Sequence, residues 1–237
     1  MTTASLQPAP DSPGSPGSRG SRGSRGRGPG RRAGRRKTAV LEAACRVIAD
    51  RGADATRFAD VAAESGVPVS TLQYYFGSRE DMLVAAFRHA SGTEIAALEA
   101  DVAAMSDPWD RLERIVTTAL TGYSPGAPET AGHSTGAPEA GRLWIESWHF
   151  GIRDPEMRAD ALEDYRAWRG LVADAVRHGV EQGRFGAGHP PETVARLAIA
   201  LVDGMGIPLA LADPDLTGPG AVQDVLAALR ELLRPDG

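Results

Sequence analysis

The sequence predicts an all-α chain, with an N-terminal three-helix helix-turn-helix domain joined to a longer C-terminal helical domain. Three observations carry that reading. Residues 56–87 read as three short helices with very tight connections. Beyond them, apolar residues recur at spacings of three and four through several long segments. Two of those segments open on Asp-Pro, at Asp107-Pro108 and Asp154-Pro155. Asp is a good cap, and Pro is best tolerated at the first helical position.

Charge and composition divide the chain early. Residues 1–37 hold nine Arg or Lys and one Asp, a net of +8; the whole chain is −5, so residues 38–237 carry −13. A basic arm on an acidic remainder suits a nucleic-acid binder, which the bulk charge alone would have argued against. Residues 1–36 are Pro, Gly, Ser and Arg with almost nothing apolar, and are expected to be a disordered basic arm. Two readings stand for it: a solvated tail, or an arm that follows phosphates or enters a minor groove. The single cysteine, Cys45, excludes a disulfide framework within the chain and a multi-cysteine metal site, and on its helix it reads as a packed thiol. The best apolar run, from Thr193 to Ala212, contains Arg196 and Asp203, and the N-terminus lacks the apolar stretch of a signal peptide. The expected location is the cytoplasm.

Lys37 to Asp50 is expected to be a helix through Val40, Ala43, Ala44, Val47 and Ile48. In the next helix Ala59, Val61 and Ala62 form a small apolar face, Thr56 is the expected cap, and Gly66 stands where a left-handed exit is needed. Val67 points inward to pin the turn. A helix starting near Pro68 carries Ser70, Thr71, Gln73, Tyr74 and Tyr75, with no acid among them. Hydroxyls, an amide and flat polar rings suit a helix lying in a major groove. Leu72 and Phe76, four apart, share the core face. Ser78 with Asp81 opens the next helix as a capping box. That helix is expected to run to about Met105 on Met82, Leu83, Ala86, Phe87, Ile95, Leu98 and Val102, with a bend at Ser91-Gly92.

The helix from Pro108 reaches about Tyr123. Residues 124–140 repeat GAPE ten residues apart and read as a surface loop; His133 within it has no partners for a metal. Further helices are expected over Arg142–Ile152, from Pro155 to about Gln182, over Pro191–Ala212 with a kink at Pro208, and over Ala221–Leu233. Leu197, Leu201, Val222, Leu226 and Leu229 supply apolar seams for a four-helix dimer interface built from the last two helices.

Gly66-Val67, the run Thr71-Leu72-Gln73-Tyr74-Tyr75-Phe76 and the pair Ser78-Arg79 together resemble the DNA-binding domain of TetR-family transcriptional regulators. Gln73 stands where that family usually has Tyr, and Arg79 where it usually has Lys; both keep hydrogen-bond donors. The resemblance implies DNA contacts from Arg57, Ser70, Thr71, Gln73, Tyr74, Tyr75 and Arg79. Residues 142–185, with LWIESWHF and a long helix, also resemble the effector-binding half of the branch similar to the choline-responsive regulator of betaine synthesis. That implies an all-α ligand-binding and dimerisation domain. The expected division is an arm at 1–36, a helix-turn-helix domain at 37–82 and an effector-binding and dimerisation domain at 83–237.

Trp144, Trp148, Tyr165 and Trp168 fall on two neighbouring helices, as core or as cavity walls. With Glu146 and His149 beside them they are the candidate effector site, suited to a cation through its attraction to aromatic faces, or to a flat hydrophobic ligand. Glu146 and His149 are three apart, but no third metal ligand suggests itself. The enzyme motifs sought, G-x-S-x-G, H-E-x-x-H and a phosphate-binding glycine loop, do not occur. The expected function is a ligand-responsive DNA-binding regulator with no catalytic residues, cofactor or metal: a homodimeric repressor released from a palindromic operator by a small-molecule effector of unknown identity. An activator of the same family, an enzyme with a borrowed DNA-binding head, and a nucleic-acid-coating protein acting through the Arg-Gly arm are the alternatives.

Overall fold

The computed structural model describes residues 29–123 and 137–235, and among them the chain forms nine α-helices and no strand. The first four, α1 (Pro29–Arg51), α2 (Phe58–Ser65), α3 (Val69–Phe76) and α4 (Arg79–Ala103), build the head and the joint below it. The body holds α5 (Pro108–Thr121), α6 (Ala137–Gly151), α7 (Pro155–Glu181), α8 (Pro191–Ala210) and α9 (Gly218–Leu232).

The first helix starts eight residues before the expected Lys37, so residues 29–36 do not belong to a structureless arm. Its packed turns provide the nucleus, Arg and Ala extend it cheaply, and Pro29 sits at the end where no N–H is needed. Residues 1–28, with most of the expected arm, lie outside the described residues. Gly66 leaves α2 at φ 66°, as the turn requires, and Val67 is buried beneath it. Thr56 is not the α2 cap: its side chain is fully buried and donates to the Gly52 carbonyl at 2.8 Å, while Arg57 takes the cap position and Asp60 accepts from its backbone N–H at 2.9 Å. Ser78 caps α4 by accepting from the Asp81 N–H, as expected.

The fourth helix is continuous through Ser91-Gly92, where a bend was expected. Its two ends belong to different cores. Met82, Leu83, Val84, Ala86 and Phe87 pack with α1, α2 and α3, whereas Ile95, Leu98 and Val102 pack with α5 and α7. Leu143 of α6 and Met157 of α7 also join the head core, so the body buttresses the head directly.

Asp107 and Asp154 cap α5 and α7 as expected, each followed by Pro. Residues 124–136, including His133, lie outside the described residues; residues 137–140, expected as loop, form the first turn of α6. Gly141 brings that turn against the end of α5, where a Cβ would sit 2.6 Å from the Gly122 carbonyl oxygen. Thr217 accepts from the Gly220 N–H, and α9 therefore starts three residues before the expected Ala221. Two interface expectations do not hold: Leu226 and Leu229 are buried in the chain's own core. Within the chain α9 packs on both α5 and α8. The outward apolar stripe runs along α8 to the residue after its end instead: Leu197 is 44% and Leu211 77% exposed, with Ile207 and the half-buried Leu201 between them. By length and composition α8 would suffice to cross a membrane, but its other face packs on α7 and α9.

Candidate functional site

The helix α3 is only eight residues long, so its orientation rests on its buried face. Leu72 and Phe76 anchor that face, and Lys37 of α1 lies over the Phe76 ring at 5.4 Å. Ser70, Gln73 and Tyr74 project into solvent, Tyr74 at 86% exposure, while Thr71 and Tyr75 are half-buried at the edges. These five side chains share an outward surface that carries hydroxyls and an amide and no charge.

The two arginines assigned to this surface behave differently from expectation. Arg57 is exposed but curls onto its own loop, donating to the Asp54 and Thr56 carbonyls at 2.5 and 3.1 Å. Arg79 turns inward: its side chain is only 22% exposed, with Nε donating to the Thr56 carbonyl at 2.7 Å and Nη2 to those of Ala53 and Asp54. A fourth N–H, on Nη1, meets Glu80. A planar fork that fills four donors at once is committed to holding the 53–56 loop and is not free for a phosphate.

In the body, Trp144 and Trp148 of α6 meet Tyr165 and Trp168 of α7, as the sequence predicts. The rings of Trp148 and Tyr165 stack 6.0 Å apart at 24°, and those of Trp144 and Trp148 lie 6.3 Å apart. With Ala119 of α5, Tyr123 just beyond its end, and Ile199, Val202 and Asp203 of α8, they line a narrow cleft of about 40 Å³. The acid in this cleft is Asp203, which accepts the Tyr165 hydroxyl at 2.8 Å. Desolvation raises its pKa, against the opposing hydrogen bond from Tyr165 and the charge of Arg169. The indole N–H of Trp148 is buried without a hydrogen-bond partner among the described residues. An unmet buried donor of this kind costs about 1–3 kcal/mol until an acceptor arrives.

Glu146 and His149 are not in the cleft. Each lies off the face that carries Trp144 and Trp148, because residues one or two apart on a helix point different ways. Glu146 faces the head and accepts the Ala53 N–H at 2.8 Å; His149 is exposed beside Arg153 and Asp54.

Trp144 separates the cleft from a larger chamber of about 350 Å³ between α1, α4, α6 and α7. Its indole N–H donates to Glu94 at 3.1 Å. Desolvation pushes Glu94 up to about 7, with the Trp144 N–H opposing and the nearby Asp164 adding; Asp164 is itself raised to about 6, chiefly by desolvation. Arg88 and Arg46, the cations on the chamber wall, are taken by Asp160 with Glu156 and by Glu64. Sequence reading missed Glu94, Asp164 and Asp203. The signal for Asp203 was present, an acid inside the apolar run that follows Arg196. Glu94 shares its helical face with Phe87, Ser91 and Leu98 and could have been found that way.

A family model described as "Bacterial regulatory proteins, tetR family" matches residues 40–86, and one described as "BetI-type transcriptional repressor, C-terminal" matches residues 128–234. The HTH-type transcriptional regulator BetI of Rhizobium meliloti is 25% identical over 172 residues, 73% of this chain and 76% of its own length. The BetI regulator of Burkholderia lata is 26% identical over 201 residues, 82% of this chain and 89% of its own. A transcriptional regulator from Saccharomonospora viridis in complex with choline has a similar structure, with a TM-score of 0.71 and 26% identity over 84% of this chain and 96% of that one. FadR from Bacillus subtilis in complex with stearoyl-CoA shares the fold, with a TM-score of 0.64 at 18% identity, over 81% of this chain and 97% of that one.

Proposed function

Since this chain belongs to the TetR family, with a C-terminal region of the BetI type, and its relatives are transcriptional regulators and not enzymes, we propose that it is a homodimeric repressor that leaves a palindromic operator when it binds a choline-like quaternary ammonium. Three units divide the work: the basic segment at 1–28, a head of α1 to α3 with the first part of α4 through Phe87, and the body beyond it. The protein acts in the cytoplasm, where its operator is. The outward surface of Ser70, Thr71, Gln73, Tyr74 and Tyr75 reads the major groove, and two heads on successive grooves stand about 34–36 Å apart. The α8 stripe, with Val222 of α9 beside it, joins the subunits.

The aromatic cleft carries the ligand assignment. A quaternary ammonium has no N–H to donate, so it is held by ring faces and by one negative charge and not by hydrogen bonds. Trp144, Trp148, Tyr165 and Trp168 supply the faces and Asp203 the charge. A hydroxyl on the same ligand, as in choline, would accept from the unmet Trp148 N–H. The S. viridis regulator, which binds choline in its crystal, supports this reading. A cleft of about 40 Å³ has room for only a few waters and widens to admit the ligand. A ligand that favours the open form shifts the protein toward it by its differential affinity.

Titration with choline chloride should quench tryptophan emission and release operator DNA over the same concentration range. Trp148→Ala should weaken choline binding at least about tenfold, the size of one lost cation–π contact plus one hydrogen bond. The chamber beside Glu94 is a second reading, favoured by its larger volume. Normal choline binding by Trp148→Ala, with a loss in Glu94→Gln, would move the ligand there.

A further inference from the structure

Glu146 is the one acidic side chain of α6 between the two cleft tryptophans, and it points away from them. Its Oε2 accepts the N–H of Ala53 at 2.8 Å, across ninety-three positions of sequence. The site it reaches is the loop between α1 and α2. Gly52 begins that loop at φ 79°, and a Cβ there would lie 3.4 Å from Glu146 Oε1, so the carboxylate sits flush against the backbone. The carbonyl of the same Ala53 accepts from Arg79 at the start of α4. One residue is thus held by the body on its donor side and by the joint helix on its acceptor side. The loop then leads directly into α2, which carries α3.

The rest of α6 shows the same two-sidedness. Leu143 packs in the head core, and Phe150 lies 6.4 Å from Phe87 of the head. Trp144 and Trp148 line the ligand cleft. Opening a cleft of about 40 Å³ to admit a cation displaces its walls, and α6 supplies two of their rings, Trp144 and Trp148. Because α6 also touches the head, that movement has a direct outlet there.

We propose that Glu146 is a positioning residue that couples the effector cleft to the reading head, its hydrogen bond to Ala53 transmitting displacement of α6 to the loop that aims α2 and α3. This rests on the proposed choline-responsive function, and it runs beside α4, the helix that both cores share. His149 and Asp54, 3.9 Å apart on the same side, flank the contact. The bond is charge-assisted and partly buried, which makes it worth more than an exposed pair.

The test compares operator affinity with and without choline chloride in the intact dimer. Glu146→Ala should reduce the ratio of the two affinities about tenfold, the scale of one charge-assisted hydrogen bond. Glu146→Gln, which keeps the acceptor oxygen, should restore most of it. A purely structural role would lower both affinities alike and leave the ratio unchanged, which overturns the proposal. Glu146→Met, of similar length without an acceptor, replaces the alanine variant if that one fails to fold. If choline proves silent on the wild type, the functional reading fails and the coupling is still measurable without it. Trp148→Ala perturbs α6 from the cleft side, and its effect on operator affinity should shrink when Glu146→Ala is also present. Additive effects in that double-mutant cycle would show that the two residues are not coupled.

Discussion

Tyr165 donates its hydroxyl proton to Asp203 across 2.8 Å and thereby ties α7 to α8 at the floor of the aromatic cleft. The same bond keeps the carboxylate beside the ring that stacks on Trp148. A negative charge in partly dry surroundings is retained only with such help. Structural tie and charge are separable by substitution. Asp203→Asn should keep the fold, since the amide oxygen still accepts from Tyr165, and should weaken choline binding about tenfold or more. Isothermal titration near pH 8 reads this. Because burial raises the Asp203 pKa, wild-type affinity for a cation should rise with pH as the carboxyl ionises, and that rise should vanish in the variant.

Glu94 makes a separate prediction about stability. Its pKa is about 7 in the folded chain and near 4.5 when unfolded. The folded state therefore holds its proton more tightly, so the stabilisation is complete below about pH 4.5 and is lost as pH rises to about 7. Glu94→Gln, permanently neutral and still an acceptor for Trp144, should melt higher than the wild type at pH 8 and at nearly the same temperature at pH 5. Equal gains at both values would show that Glu94 does not titrate in this window.

On the DNA side, Tyr74 and Arg79 should fail in opposite ways. Tyr74→Ala removes an exposed ring and should weaken operator binding about tenfold while leaving the melting temperature unchanged. Arg79→Met frees three loop carbonyls and should cost about 1–3 kcal/mol of stability, with the salt dependence of DNA binding unchanged. A shallower salt slope in the Arg79 variant would restore its role as a phosphate contact.

The α8 stripe predicts the assembly. Leu197→Glu places a charge on a surface that a partner subunit would bury. Sedimentation should then show monomers at micromolar concentration, with operator affinity reduced because two half-sites are no longer engaged together. The substitution should hardly affect the monomer fold, whereas Leu229→Glu should unfold it, because Leu229 is fully buried within the subunit.

Helices were more legible than directions. The Asp107 and Asp154 caps, the Gly66 exit and the split of α3 into a Leu72–Phe76 face and a polar face all follow from local chemistry, and each stands as expected. The aromatic group was legible because Trp144 with Trp148, and Tyr165 with Trp168, are spaced to share a face. Glu146 was misassigned by its nearness in sequence to those rings, although two residues along a helix is most of the way to the opposite side. Arg79, Leu226 and Leu229 depend on which neighbour comes to cover them, and that is decided by packing between distant segments. Gly34 and Pro29 looked like arm residues because composition averages over a window, while a helix already nucleated spreads past the window's edge.

The helix that serves two cores has a consequence for the evolution and engineering of such chains. A cut at residue 82 would strip Leu83, Val84, Ala86 and Phe87 from the head and expose its underside. A head transplanted at that point would arrive unfinished. The interchangeable joint lies lower, between Phe87 and Ile95, where neither core claims a fully buried side chain. Swapping heads there would still break the grip of Arg88 on Asp160 and Glu156 and the contacts of α6 with α1. Under the proposed function, recognition and sensing would be inherited together, and a new operator would be reached more easily by changing Ser70, Gln73 and Tyr74 in place than by importing another head.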